Sequence, residues 1–315
     1  MKFKKFFQIS GGLFFLFISF LILRNELKNI QISELIFLMH TFSKTRMLFA
    51  FLFLFLSYFL MAEYEHLAVH YAGKNISFKK IIIPSTLSHA IANVSGFPLL
   101  SGAPLRYRFY SFLDFKPKEI AKTIYFVIIS NGLGLIFLLG IFILGFKSPS
   151  AQFNFLSLPL RILLGSSFLI LVFFYLKRSF STNNHFRLFK FKIDCPDSKT
   201  ALKQFLFSTL DWLLIALVFF ILLPGQNHFS LFNFFAIFFI AQGIGSLSQV
   251  PGGFGVFDTT ILLLLKAHGF SSSIVLVALF LFRFIYYILP LFFAIFLLII
   301  VETKQHLKKK TPNDC

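Results

Sequence analysis

The stretch Ser248–Leu265 reads SQVPGGFGVFDTTILLLL, and three of its first eight residues are glycines. A proline opens the run and one carboxylate, Asp258, stands just before four leucines. Pro251 is suited to the first turn of a helix, where its missing N–H is not needed, and the glycines let backbone approach a ligand or a neighbour closely. The pattern therefore predicts a helix that breaks and restarts. The free N–H groups of the restarting helix make an anion site, and Asp258 in its first turn gains from the same dipole. A tight helix-packing turn with Asp258 as its cap fits the spacing equally well.

The surroundings say in what solvent this break sits. The chain has 315 residues, 57% of them hydrophobic and only 13% charged, about half the charged share of a soluble domain. Apolar runs long enough to cross a bilayer, about 20 residues, recur at Phe6–Leu23, Met47–His70, Lys122–Phe146, Phe155–Leu176, Gln204–Leu223 and Phe270–Val301. Two further apolar segments do not read as simple spans. Ile81–Leu105 has no formal charge over 25 residues, yet it holds three prolines, two glycines and four serines, with Asn93 and His89. Leu231–His268, with the opening stretch at its middle, has the same character. Unpaired backbone amides are tolerated at membrane depth only where they are buried in protein or line a cavity. Both segments are expected to be re-entrant hairpins of two half-helices.

The net charge of +18 comes from thirty Lys and Arg residues gathered between the apolar runs. Positive-inside topology and anionic lipid account for it, and nucleic acid is not an expected partner. With both hairpins re-entrant and the N-terminus inside, 22 basic residues fall inside and 7 outside, Arg283 remaining in the membrane. If Ile81–Leu105 crosses instead, with the N-terminus outside, the split is 20 to 9, so charge leaves the first two spans open. The re-entrant version makes span, hairpin and span occur twice with opposite orientation. The hairpins also end alike, at LDFKPKEI (Leu113–Ile120) and HGFSSSIV (His268–Val275). Inverted repeats of broken helices are a transporter architecture, with the site where the breaks meet. The expected fold is thus an all-α polytopic integral membrane protein, with about six full transmembrane helices and two broken hairpins in an inverted repeat. Residues 1–301 form one transmembrane domain and 302–315 a basic cytoplasmic tail.

Arg283 is the only charge in the 32 residues Phe270–Val301. A charge near the bilayer centre costs about 2.5–3.5 kcal/mol on insertion scales, so it needs a partner or a task. Asp211 and Asp258 are the candidate carboxylates, and a phosphate group meets the same cost. Tyr286 and Tyr287 are close enough to join that site. Arg106 and Arg108 follow the first break, and a guanidinium fork suits a phosphodiester; interfacial snorkelling is the other reading and the favoured one for Arg108. Glu63, His66 and His70 share a helical face but lack the second such face that a metal site needs. Cys195 and Cys315 show no metal or disulfide spacing. No Walker loop, dinucleotide fingerprint or nucleophile triad appears, so neither cofactor nor metal is expected.

Taken together, NVSGFPLLSGAPLRYRFYS (Asn93–Ser111), SQVPGGFGVFDTTILLLL and RFIYYILP (Arg283–Pro290) resemble the transmembrane domain of the lysylphosphatidylglycerol synthase and flippase family, the multiple peptide resistance factor. The resemblance runs from about Ser10 to Val301. It implies a polytopic helical domain that moves aminoacylated phosphatidylglycerol between leaflets of the bacterial cytoplasmic membrane. It also implies substrate-binding roles for Asn93, Gly96, Ser101, Gly102, Arg106 and Tyr110 in the first motif. Pro251, Gly252, Gly253 and Gly255 carry the second, and Arg283 and Tyr287 the third. Where the family commonly has glutamate, this chain has Asp258, with the charge kept and the reach shortened. Only fourteen residues follow Val301, so the synthase domain is expected to be absent and the chain not to be an enzyme. A stand-alone lipid translocator is the leading expectation, its partners phospholipid headgroups, a separate lipid-modifying enzyme or a second copy. A non-transporting regulator of such an enzyme is the alternative. An embedded lipid enzyme is disfavoured, because no general acid and base pair stands at either break.

Overall fold

The computed structural model describes residues 19–24, 43–95, 98–146, 157–181, 185–188, 191–224 and 229–310. Residues 19–24 are helical, and the rest of the expected span Phe6–Leu23 lies outside the described residues. The long helix α1 (Lys44–Tyr71) is followed by the shorter α2 (Phe78–Ser95) and α3 (Pro98–Ser111), then by the long α4 (Pro117–Gly145). Helix α5 (Leu158–Ser179) leads to a small antiparallel hairpin of β1 (His185–Leu188) and β2 (Phe191–Asp194) in the polar connector. The order of the first half then recurs. Helix α6 (Ser198–Ile221) is followed by α7 (Leu231–Ser248) and α8 (Val256–Ala267), then by α9 (Ser272–Arg283), a π-helical turn (Phe284–Ile288) and α10 (Leu289–Lys310).

Among the described residues six helices are long and apolar enough to cross a membrane. Five coincide with expected spans, and the sixth is α7, the first arm of the second broken segment. Their ends are set by ordinary capping chemistry. Asp197 accepts the Thr200 N–H to start α6 (3.2 Å), and Glu119 takes the Lys116 N–H before α4 (2.7 Å).

Each broken segment is two helices in contact, α2 with α3 and α7 with α8. Gly102 of α3 packs against Ser88 and Ala92 of α2, and Gly245 of α7 packs against Phe257 of α8. The first arms have 18 residues each, the second arms 14 and 12. At about 1.5 Å per residue α8 reaches only about 18 Å, well short of the roughly 30 Å hydrocarbon core. Both second arms also stop in the same way. Phe115 donates its N–H to the Tyr110 carbonyl (3.1 Å) and Phe270 to the Leu265 carbonyl (3.2 Å), with Asp114 (φ 56°) and Gly269 (φ 91°) in the left-handed region between. These are matching C-terminal caps of the Schellman type.

Helices α1, α4 and α6 pack around the hairpins, and close approach depends on small residues. The Gly134 N–H donates to Ser208 Oγ (3.0 Å), and Ser208 Oγ donates to the Ser130 carbonyl. A Cβ on Gly134 would lie 2.6 Å from Ser208 backbone. The core behind the second hairpin is aromatic, with Phe219 against Phe282 (5.2 Å between rings) and Phe238 against Phe257 (5.6 Å). By contrast α5 buries only Gly165, Val172 and Ser179, and turns Phe173, Phe174 and Leu171 outward. It lines the outside of the bundle and touches no part of the site.

Candidate functional site

The opening glycine stretch forms the turn between α7 and α8. Pro251 begins a short 3-10 turn, and Gly252 (φ 58°), Gly253 (φ 62°) and Gly255 (φ 78°) all take the left-handed backbone, which costs other residues roughly 1–2 kcal/mol each. A Cβ on Gly252 would also come within 3.3 Å of the Val94 carbonyl at the tip of the first hairpin. The two breaks therefore touch. Ser19 approaches the turn from the N-terminal side, its carbonyl accepting Thr259 Oγ1 at 3.4 Å.

Asp258 and Arg283 hold this turn in shape. Asp258 Oδ2 accepts the Gly255 N–H (2.8 Å), the capping role that the sequence left open. Arg283 Nε and Nη2 then meet Asp258 Oδ1 and Oδ2 at 3.0 and 3.1 Å, while Nη1 and Nη2 donate to the carbonyls of Gly252 (2.7 Å) and Gly253 (3.4 Å). The guanidinium also lies against the rings of Phe254 (4.4 Å), Tyr287 (4.6 Å) and Phe257 (5.2 Å). Of the two carboxylates offered as its partner, Asp258 is the one. Tyr286 does not join this site. Its ring stacks on Phe282 (5.7 Å) and faces Tyr58 (6.3 Å) on the other side.

The first hairpin carries a second buried pair. Arg106, 3% exposed, is no interfacial side chain. Its Nε and Nη2 donate to Glu65 Oε1 (2.9 Å) and Oε2 (2.8 Å), and Nη2 lies 3.0 Å from His89 Nε2. His89 also stands 3.1 Å from Glu65, which accepts the Tyr110 hydroxyl at 2.8 Å. Glu65 is fully buried, so the pair is satisfied from four directions. Gly102 lies under Arg106 Nη1, where a Cβ would come within 2.5 Å. Gly96 lies outside the described residues, as does the side chain of Ser101 in α3. Arg108 is exposed.

Between the two breaks lies a cavity of about 160 Å³. Its wall includes His89, Asn93 and Arg106 from the first hairpin, and Gln242, Ser246, Gly252 and Gly253 from the second. Asn131, Trp212, Tyr286 and Tyr287 close it from the surrounding helices. An apolar groove of about 620 Å³ lies beside it, between α1, α2 and the start of α10, lined by Phe51, Phe55, Phe59, Ile82, Leu289 and Phe293 among others. Tyr58 borders this groove and packs on Tyr286 of the cavity wall. The predicted residues thus divide. Asn93, Arg106, Gly252, Gly253 and Tyr287 line the cavity. Pro251, Gly255, Asp258 and Arg283 build the turn, and Gly102 and Tyr110 brace Arg106.

Sequence reasoning missed Glu65, His89 as its neighbour, Asn131 and Gln242. For Glu65 a signal existed. Ala62, Glu65, Ala68 and Val69 stand on one face at helical spacing, and all four are buried, small residues marking a packed face in a membrane helix. Glu63, considered only with His66 and His70 as a metal face and set aside, is off that face. His66 and His70 approach each other (Nε2 to Nε2, 3.2 Å). Among the described residues no group of three or more His, Cys, Asp or Glu side chains is placed to hold a metal ion.

A polytopic helical membrane protein with a polar cavity between two helix breaks is the class that these observations define. The family is narrower: a model described as the lysylphosphatidylglycerol synthase TM region matches residues 8–294, and the chain belongs to that family. It is 34% identical over 269 residues to the uncharacterized protein slr0712 of Synechocystis sp. (strain ATCC 27184 / PCC 6803 / Kazusa), covering 85% of this chain and 83% of that one. It is 28% identical over 260 residues to the inner membrane protein YbhN of Escherichia coli (strain K12), covering 82% and 80%. Phosphatidylglycerol lysyltransferase of Staphylococcus aureus is 28% identical over 241 residues, which make up 76% of this chain but 27% of the enzyme.

Proposed function

We propose that this chain is an inner-membrane lipid translocator that passes an anionic or aminoacylated phospholipid headgroup through the cavity between its two hairpins, acyl chains staying outside. The carrying observation is the pairing of two spaces joined at Tyr58 and Tyr286. One is small, polar and set between the breaks; the other is larger, apolar and open along α1, α2 and α10. The cavity is the smaller and more polar of the two spaces, which suits a headgroup better than acyl tails. The groove offers the tails a surface as apolar as the lipid they leave.

The short second arms, the matching caps at Phe115 and Phe270 and the recurring element order support a re-entrant inverted repeat. In that arrangement the cavity lies near mid-membrane, where the site of such a repeat is expected. Arg106 is the cationic contact for phosphate. Its Nε and Nη2 are held by Glu65 and His89, which leaves Nη1 over Gly102 as the end that meets a ligand. Arg283 acts differently from the direct contact expected of it: it fixes the Gly252–Gly253 turn that forms the opposite wall. The names of the relatives agree with an inner-membrane setting and a lipid context.

The test is leaflet exchange of labelled phosphatidylglycerol and lysylphosphatidylglycerol in vesicles holding the full chain. Exchange above that of protein-free vesicles is expected. Exchange no faster than that across both lipids overturns the reading. The match to one segment of a lysyltransferase favours the second reading, a membrane partner that docks a separate lipid-modifying enzyme. That reading predicts a co-purifying enzyme and no exchange.

A further inference from the structure

Among the described residues three carboxylates are buried, and two of them, Glu65 and Asp258, face an arginine in a bidentate pair. The third, Asp211, does not. It is the fourteenth of 24 residues in α6, 1% exposed and about 20 Å along the helix from its start. Its Oδ1 accepts the Ser57 hydroxyl of α1 at 2.5 Å, while its Oδ2 accepts no hydrogen bond. Among the described residues, the titratable groups that face it are Tyr58 and Tyr64 from α1 and Tyr286 from the π turn. The Glu65–Arg106 pair stands behind Tyr64. From α4 the backbone carbonyls of Ser130 and Asn131 accept from Ser208 Oγ and Trp212 Nε1 of α6, and neither residue titrates.

A carboxylate with no counter-charge in a membrane interior is costly and marks a functional group by default. One proton removes the cost, and supplies the donor that an unbonded Oδ2 lacks. The position joins this group to the cavity, because Trp212 and Ile215, one and four residues on, line its wall together with Tyr286. A single hydroxyl ligand is too few oxygens for a metal cation.

We infer that Asp211 is a proton-binding site behind the headgroup cavity, taking up and releasing one proton as the cavity fills and empties, so that lipid movement is coupled to protons. This rests on the translocator reading, and two readouts separate the two claims. In pH-difference infrared spectra of the full chain in vesicles, a titrating carboxylic-acid C=O band is expected. It should vanish in Asp211→Asn and persist in Asp211→Glu. In Ser57→Ala, which removes the donor to the charged form, it should persist to higher pH. A band unchanged in Asp211→Asn, or unmoved in Ser57→Ala, overturns the inference. In the exchange assay, a pH gradient is expected to alter the wild-type rate and to lose that effect in Asp211→Asn. Exchange that depends on sodium and not on pH overturns it as well. If the band behaves as expected and wild-type exchange is absent, the proton site stands and the transport reading falls.

Discussion

Asp258 and Arg283, 25 positions apart, form a bidentate pair that also closes on the carbonyls of Gly252 and Gly253. One guanidinium thus neutralises the carboxylate that caps α8 and ties down the left-handed turn in front of it. Arg283→Ala leaves a buried charge and two carbonyls without donors, so a loss of about 3–5 kcal/mol is expected. It should show as a lower thermal midpoint in detergent as well as lost exchange. Replacing both partners with apolar residues should cost less than either single change, which a double-mutant cycle will read. Additive losses would show that the pair does not act as a unit.

The Glu65–Arg106 pair makes a different prediction, because Arg106 lines the cavity. Tyr110→Phe removes one hydrogen bond to Glu65, worth roughly 1.5–3 kcal/mol when the acceptor is charged, and should lower stability with exchange largely kept. Gly102→Ala places a methyl group against Arg106 Nη1. It should reduce exchange more than it reduces stability. The opposite ranking in paired unfolding and exchange measurements would remove Arg106 from the headgroup path.

Helix contact at Gly134 offers a prediction independent of lipid. Gly134→Ala drives a Cβ into Ser208 backbone, while Gly132→Ala meets nothing within 4 Å. The first should cost about 1–3 kcal/mol as overpacking, and the second should be neutral or gain up to about 1 kcal/mol from helix propensity. Thermal unfolding of the two variants side by side checks it. Similar midpoints would mean that α4 and α6 are not in this close contact.

These contrasts also show what could be read from the chain before folding. The density of proline and glycine in an apolar run marked both segments as places where a helix stops and restarts, although Pro84 and Pro104 themselves sit inside α2 and α3, and the insertion cost of Arg283 required a partner such as Asp258. Glu65 was harder. Glu63 and Glu65 lie about 200° apart around one helix, and apolar residues stand one turn either side of both, Phe59 and Leu67 for Glu63, Met61 and Val69 for Glu65, so hydropathy alone does not say which carboxylate turns inward. Only the small residues Ala62 and Ala68 mark that face. The role of Arg283 was invisible for another reason. A lone arginine satisfies the same energetic requirement whether it binds a phosphate or a carboxylate with two backbone carbonyls, and the choice depends on the path of the Gly252–Gly253 turn in three dimensions.

The cavity itself makes the last prediction. Ser246 is exposed, lines the cavity and is approached by Gln242 Nε2 at 3.4 Å. In a background of Cys195→Ser and Cys315→Ser, Ser246→Cys should react with a small water-soluble thiol reagent, since the cavity is polar and open. Thr209, half-buried in α6 with its Oγ1 buried and without a hydrogen bond and absent from the cavity wall, is the control, and Thr209→Cys should remain unlabelled. Added anionic lipid should slow labelling at Ser246→Cys if the headgroup occupies this space, and neutral lipid should slow it less. Equal labelling with and without lipid would place the headgroup elsewhere on the protein, and the polar wall from His89 to Gly253 would then serve only to join the two hairpins.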